Sequence, residues 1–179
     1  LRCLVGSEMC IRDRVLPLMH TISSLAANNI IQSVSYATFP ISLMIIGTAI
    51  SVVFATFSMK HLGRKRGLMF LLSTGLCACL LAAYALDIEN FYLFSLAAFL
   101  LGALNATIHQ MRFVALEAVK EINHATAAAI FMSSGIVAAF LGPEIGFIGK
   151  DIFEVEFKGS FILAAILVAI SMTVSYTHL

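Results

Sequence analysis

Long apolar stretches separated by short polar segments repeat along the whole chain. A bilayer core of roughly 30 Å requires about 20 apolar residues in a helix. Four stretches meet this length, at 36–59, 67–86, 91–113 and 126–148. Two shorter ones, at 15–27 and 161–173, are predicted to be spans that are cut at the start and at the end of the chain. The pattern therefore predicts six membrane helices joined by short connections, with no room for an extramembrane domain.

The composition agrees with this pattern. Apolar residues (AVILMFWYC) make up 60% of the 179 residues and charged residues only 12%. Ordinary soluble domains are near half apolar and a quarter charged. These values exclude a soluble globular domain and a disordered tail, and a net charge of +1 excludes a nucleic-acid-binding face. The predicted fold class is all-α, a polytopic integral membrane helix bundle.

The two ends of the chain match each other at the level of DNA. One string of codons, ATG TGT ATA AGA GAC, encodes residues 9–13, and its reverse complement encodes residues 174–178. The string resembles the mosaic end of the transposase adaptors used in sequencing libraries. We therefore predict that residues 1–14 and 174–179 are translated adaptor, and that residues 15–173 are the partial transmembrane domain of an interrupted gene.

The distribution of Lys and Arg predicts the orientation in the membrane. Positive side chains near span ends favour the cytoplasm. Six of them lie near the ends of the second and fourth spans, and two lie on the opposite side, within 149–160. The segments 60–66 and 114–125 are thus predicted to be cytoplasmic, with connections of about a dozen residues at 114–125 and 149–160.

The segment between the second and third spans carries a recognisable pattern. It is predicted to be a tight turn centred on Gly63, with cations at Lys60, Arg64, Lys65 and Arg66. It resembles the gating loop after the second helix of the major facilitator superfamily, G-x-x-x-[DE]-[RK]-x-G-R-[RK], although Lys60 replaces the acid. The alternative interpretation is a generic positive anchor for membrane orientation.

The fifth span carries a second, partial motif. Gly135, Ala138, Gly142, Pro143 and Gly146 resemble the G-x-x-x-G-P-x-x-G-G motif found in the fifth helix of the family's proton antiporters. The small residues fall on one helix face, which allows a neighbouring helix to approach closely. The alternative interpretation is a packing seam of small residues, which many membrane folds contain.

The fourth span carries polar side chains on one stripe. Asn105, His109 and Arg112 are spaced at i, i+4 and i+7, so they share a helix face. Polar and ionisable residues inside a membrane helix are expensive to bury and commonly mark pathways. We predict that Asn105 and His109 face a substrate or proton pathway. Arg112 resembles the family's fourth-helix arginine and is predicted to act at a cytoplasmic gate or anchor.

Together these motifs resemble the N-terminal six-helix half of a major facilitator permease, with the first and last helices truncated. The resemblance implies a missing C-terminal half, a midplane site between the halves and transport by alternating access. The implied partners are a small-molecule substrate, the lipid bilayer and, for an efflux antiporter, protons. The implied location is the bacterial inner membrane, and this fragment alone is predicted to be inactive.

Other classes of protein remain as alternatives. The first is a six-span membrane scaffold or subunit without a transport pathway, and the second is the membrane part of an ABC exporter, which the short loops disfavour. We find no enzyme motif, and we predict no cofactor and no metal site. The substrate cannot be predicted from these motifs, because branches of the family with different substrates share them.

Overall fold

The computed structural model describes residues 15, 17–27, 36, 38–117, 124–150, 152–153 and 155–178, and these residues form six helices. The first helix, α1, covers 17–27. The others are α2 (Phe39–Leu62), α3 (Arg64–Asp87), α4 (Phe91–Glu117), α5 (His124–Lys150) and α6 (Lys158–His178). The described part of the chain contains helices and no strand, which confirms the predicted all-helical class.

Four of these helices are long and apolar enough to cross a bilayer, as judged over the described residues. They are Phe39–His61, Arg64–Asp87, Phe91–Gln110 and Lys158–Tyr176. The 36–59, 67–86 and 91–113 spans are thereby confirmed within a few residues. The last predicted span differs, because α6 continues through residues 174–178, which we predict to be adaptor-derived. The predicted domain boundaries stay predictions.

The connection between α3 and α4 has the three to four residues that the sequence predicts around 87–90, and the other connections are shorter than predicted. Gly63 alone separates α2 from α3, and residues 88–90 separate α3 from α4. The connection between α5 and α6 is 151–157 rather than a dozen residues, since both helices extend into the polar segment. Residues 118–123, within the predicted 114–125 loop, lie outside the described residues.

Contacts at the two ends show that α3 and α6 run in opposite directions. At one end, Lys158 Nζ at the start of α6 lies 2.8 Å from Asp87 Oδ2 at the end of α3. At the other end, Lys65 Nζ at the start of α3 donates a hydrogen bond of 2.9 Å to the backbone oxygen of Tyr176 in α6. By the Lys and Arg distribution, the first end is the outer face and the second is the cytoplasmic face.

The short helix α1 lies at the centre of the bundle. Its side chains Leu18, Met19, Ile22 and Ser23 are buried. Together with Val15, α1 lines a cleft with α2 and α4, and Val15 also lines a second cleft with α3, α4 and α6. Ile22 and Leu18 lie against α5 at Gly146.

Helix α2 lies at the periphery of the bundle. A row of large apolar side chains along one side is exposed: Ile46, Ile50, Val53, Phe54 and Phe57. A continuous apolar surface of this kind is unfavourable in water and is suited to lipid. Together with the four membrane-length helices, it identifies an integral membrane protein.

Candidate functional site

Helix α4, which carries the predicted pathway residues, crosses α2 at close distance. A Cβ atom added to Gly102 of α4 would lie 2.5 Å from the carbonyl carbon of Gly47 and 2.7 Å from the oxygen of Met44. A Cβ atom on Gly47 would in turn collide with the backbone oxygen of Phe99. The two helices therefore touch backbone to backbone, which only glycine permits at both positions.

This crossing brings a threonine of α2 next to the predicted pathway residue of α4. Asn105 Nδ2 donates a hydrogen bond of 3.1 Å to Thr48 Oγ1. The Thr48 hydroxyl in turn donates to the backbone oxygen of Met44 at 2.8 Å. Sequence reasoning missed Thr48, because a threonine that donates to its own helix is common in membrane helices and carries no distinct signal.

Asn105 lines a cleft between α1, α2 and α4. The space in the cleft that a water-sized molecule can occupy is about 10 Å³. Its remaining lining residues are apolar: Val15, Met19, Met44, Leu101, Leu104 and Ile108. Asn105 Oδ1 is buried and has no hydrogen-bond donor among the described residues. Asn105 thus lines a cleft in the structure, and the prediction that it faces a substrate or proton pathway stays a prediction.

The other polar residues of α4 lie closer to the cytoplasmic end. His109 is exposed, and it does not line the cleft beside Asn105. Gln110 Nε2 donates a hydrogen bond of 3.3 Å to Thr56 Oγ1 of α2. The backbone of Arg112 belongs to α4, but its side chain lies outside the described residues. Asn105 therefore lines a cleft, whereas His109 is exposed. That the two residues share a pathway stays a prediction.

The predicted cytoplasmic loop is a one-residue turn. Gly63 has φ +86° and ψ +158°, a backbone conformation that is essentially restricted to glycine. The side chains of Lys60, Arg64, Lys65 and Arg66 are all exposed around it. The tight Gly-centred turn with its four cations is confirmed, and its gating role stays a prediction.

The small residues of the α5 motif lie in different surroundings. Gly146 is buried against Ile22 and Leu18 of α1, whereas a Cβ atom on Gly135 would meet nothing within 4 Å. Gly142 is buried, Pro143 is half-buried within the helix, and the side chain of Ala138 lies outside the described residues. Helix α6 contacts α5 through Gly149 and Gly159, two glycines that the predicted motif did not include.

Two charge pairs at the predicted outer end were not expected from the sequence. Besides the contact of Lys158 with Asp87, Lys150 Nζ lies 3.7 Å from Glu156 Oε1. Each lysine also lies over an aromatic ring, Lys158 over Phe153 and Lys150 over Phe157, at 5.5 and 5.6 Å from the ring centroids. The pair of Lys150 with Glu156 lies at the α5–α6 connection, and the pair of Lys158 with Asp87 joins α6 to α3.

The comparisons with known proteins agree with the membrane fold. No protein-family profile matches the chain. The riboflavin transporter RfnT of Brucella anthropi is 27% identical to it over 161 residues, which cover 89% of this chain and 40% of that transporter. The chain thus spans about 40% of the length of the curated relative it matches. The fold and this similarity define the class, an integral membrane protein related distantly to a transporter.

Proposed function

We propose that this chain is part of a secondary active transporter that moves a small molecule across the membrane. The single observation that carries the proposal is the similarity to a riboflavin transporter along 89% of the chain. The bundle of alternating helices and the polar Asn105 within it support the same function. Because that relative is named for riboflavin, we propose riboflavin or a similar heterocycle as the substrate.

The finer features of the proposal come from the resemblance to the major facilitator superfamily. The chain would form the N-terminal six-helix half, and a C-terminal half of the same protein would complete the substrate site and permit alternating access. The proposed location is the bacterial inner membrane. Proton-coupled efflux is the mode suggested by the antiporter-like pattern of α5. His109 and Glu144 are the titratable residues proposed to take part in it.

The test is uptake and release of labelled riboflavin by bacteria that lack their own riboflavin transport. Cells expressing the full-length protein encoded by the gene that contains this sequence are compared with cells expressing residues 15–173 alone. We expect transport by the full-length protein only, with its direction reversed or abolished when the pH gradient is collapsed. Absence of transport in either direction by correctly inserted full-length protein would favour the alternative, a six-span membrane scaffold or subunit.

A further inference from the structure

The hydrogen-bond chain between α2 and α4 fixes which way the amide of Asn105 points. A threonine hydroxyl has a single hydrogen to donate, and Thr48 uses it for the backbone oxygen of Met44, at 2.8 Å. Towards Asn105 the Thr48 oxygen can then only accept a hydrogen bond. The amide group must therefore present its NH₂ side to Thr48, as observed at 3.1 Å, and its oxygen to the other side.

The oxygen of this amide lacks a hydrogen-bond donor in the described part of the chain. Asn105 Oδ1 is buried, and Asn105 is the polar member of a cleft whose other lining residues are apolar. A buried acceptor without a donor is unfavourable, and such atoms are rare enough in folded proteins to need an explanation. Water is a poor explanation here, since a buried water typically makes about three hydrogen bonds and this lining offers it one polar side chain.

The size of the cleft limits what can reach this acceptor. The space that a water-sized molecule can occupy in it is about 10 Å³, far below the roughly 300–1,000 Å³ of complete small-molecule sites. A single donor group at the edge of a larger molecule fits this space, and the rest of that molecule would lie outside the cleft. An edge that carries an N–H or O–H group would supply the donor that Oδ1 lacks.

From these contacts we propose that Asn105 Oδ1 accepts a hydrogen bond from an N–H or O–H donor of the transported molecule, and that Thr48 is the positioning residue that orients the amide. This inference rests on the proposed function and deepens it, because it assigns the substrate a required donor at this site. A molecule with only acceptors on the inserted edge would meet the amide oxygen and be rejected.

The first measurement needs no substrate. Purified full-length protein is melted in detergent as wild type, Asn105→Leu and Thr107→Val. Thr107 is the matched control, because it is buried and its hydroxyl donates to the backbone oxygen of Ala103 in its own helix, at 2.9 Å. We expect Asn105→Leu to melt no lower than Thr107→Val, since the loss of the hydrogen bond from Nδ2 to Thr48 is offset by the removal of an unpaired acceptor. A melting temperature below that of Thr107→Val would show that Oδ1 has a structural partner, and would overturn the proposal.

The second measurement uses three probes: riboflavin, N3-methylriboflavin, which lacks the ring N–H donor, and lumiflavin, which lacks the hydroxyl side chain. Loss of one neutral hydrogen bond corresponds to about a tenfold change in affinity. We expect Asn105→Leu to raise the KM for riboflavin about tenfold, and to leave unchanged the KM of whichever analogue lacks the recognised donor. An equal rise in KM for all three probes would overturn the proposal.

The role of Thr48 is tested by Thr48→Val and Thr48→Ser. We expect Thr48→Val to raise the KM for riboflavin and to keep the maximal rate, because the amide can then turn its NH₂ group into the cleft. Thr48→Ser keeps the hydroxyl and is expected to restore the KM. A loss of maximal rate that Thr48→Ser does not restore would overturn the positioning role. If the wild type transports none of the probes, the proposed function is wrong, and the melting temperatures alone decide whether Oδ1 is a free acceptor.

Discussion

Two helix contacts in this molecule depend on glycine but differ in what the glycine faces. At the α2–α4 crossing, a Cβ atom on Gly102 would lie 2.5 Å from the Gly47 carbonyl carbon, an atom that cannot move without its helix. At the α1–α5 contact, a Cβ atom on Gly146 would meet the terminal Cδ1 of Ile22, which can rotate away. Equal crowding therefore means a rigid contact in the first region and an adaptable one in the second.

The largest effect is expected at the rigid contact. Gly102→Ala would force α2 and α4 apart, because the new methyl group would overlap the backbone near Gly47 and Met44. Overpacking of this kind costs about 3 kcal/mol at its upper range. The measurement is thermal unfolding of the full-length protein in detergent. An unchanged melting temperature would show that the two helices can separate, and would remove the distinction between the two contacts.

Gly135→Ala provides the control for this substitution. A Cβ atom on Gly135 would meet nothing within 4 Å, and replacing glycine by alanine inside a helix gains about 0.5–1 kcal/mol. We expect a small increase in melting temperature. Destabilisation by Gly135→Ala to the same degree as by Gly102→Ala would show that the effect comes from glycine replacement in general rather than from the crossing.

Substitution of Gly63 tests the effect of backbone conformation without crowding. Gly63 has open space around its missing side chain, but its φ of +86° and ψ of +158° disfavour every other residue. Gly63→Ala is expected to cost about 2 kcal/mol through backbone strain alone. The same melting experiment measures it, and Gly63→Asn should cost as much as Gly63→Ala, because asparagine does not favour this extended positive-φ region either.

A smaller effect is expected at the adaptable contact. Gly146→Ala should cost about 1 kcal/mol, since Ile22 can change rotamer. Ile22→Val removes the Cδ1 methyl group and should itself cost about 1 kcal/mol. The double variant is expected to cost less than the sum of the two, which a double-mutant cycle of melting curves measures. Strict additivity would contradict the contact between Ile22 and Gly146.

The smallest effect is expected at the ion pair between Asp87 and Lys158, which does not involve contact between helix backbones. Asp87→Asn removes the partner of Lys158 at the outer end, where the two side chains are 35% and 27% exposed. Ion pairs at this exposure contribute about 0.5 kcal/mol. The difference in melting temperature from wild type should shrink in 1 M NaCl, which screens charges over about 3 Å. A loss that persists at high salt would indicate a hydrogen bond or packing role instead.

The membrane helices could be predicted from the sequence because a span needs about 20 apolar residues to cross the lipid. This requirement does not depend on how the helix packs against its neighbours. The crossing of α2 and α4 could not, because Gly47 and Gly102 lie 55 positions apart and neither belongs to a spaced motif. The α5 glycines attracted attention by their spacing, yet Gly135 faces open space. The spacing of residues on one helix shows which face carries small side chains. It does not show whether a second helix approaches that face.

The candidate site shows the same limit. The polarity of Asn105 within an apolar span singled it out as a candidate pathway residue, and it lines a cleft in the structure. Its partner Thr48 and the orientation of its amide depend on two helices meeting, which one sequence does not reveal. His109 carried the same polar signal and lies exposed.

The one-residue turn at Gly63 has a consequence for how the protein enters the membrane. With α2 and α3 joined by a single residue, we expect the two helices to insert together as a hairpin. Its cationic tip stays on the cytoplasmic side, and its two far ends are carried across in one event. The direction of this hairpin then fixes the direction of every helix that follows it.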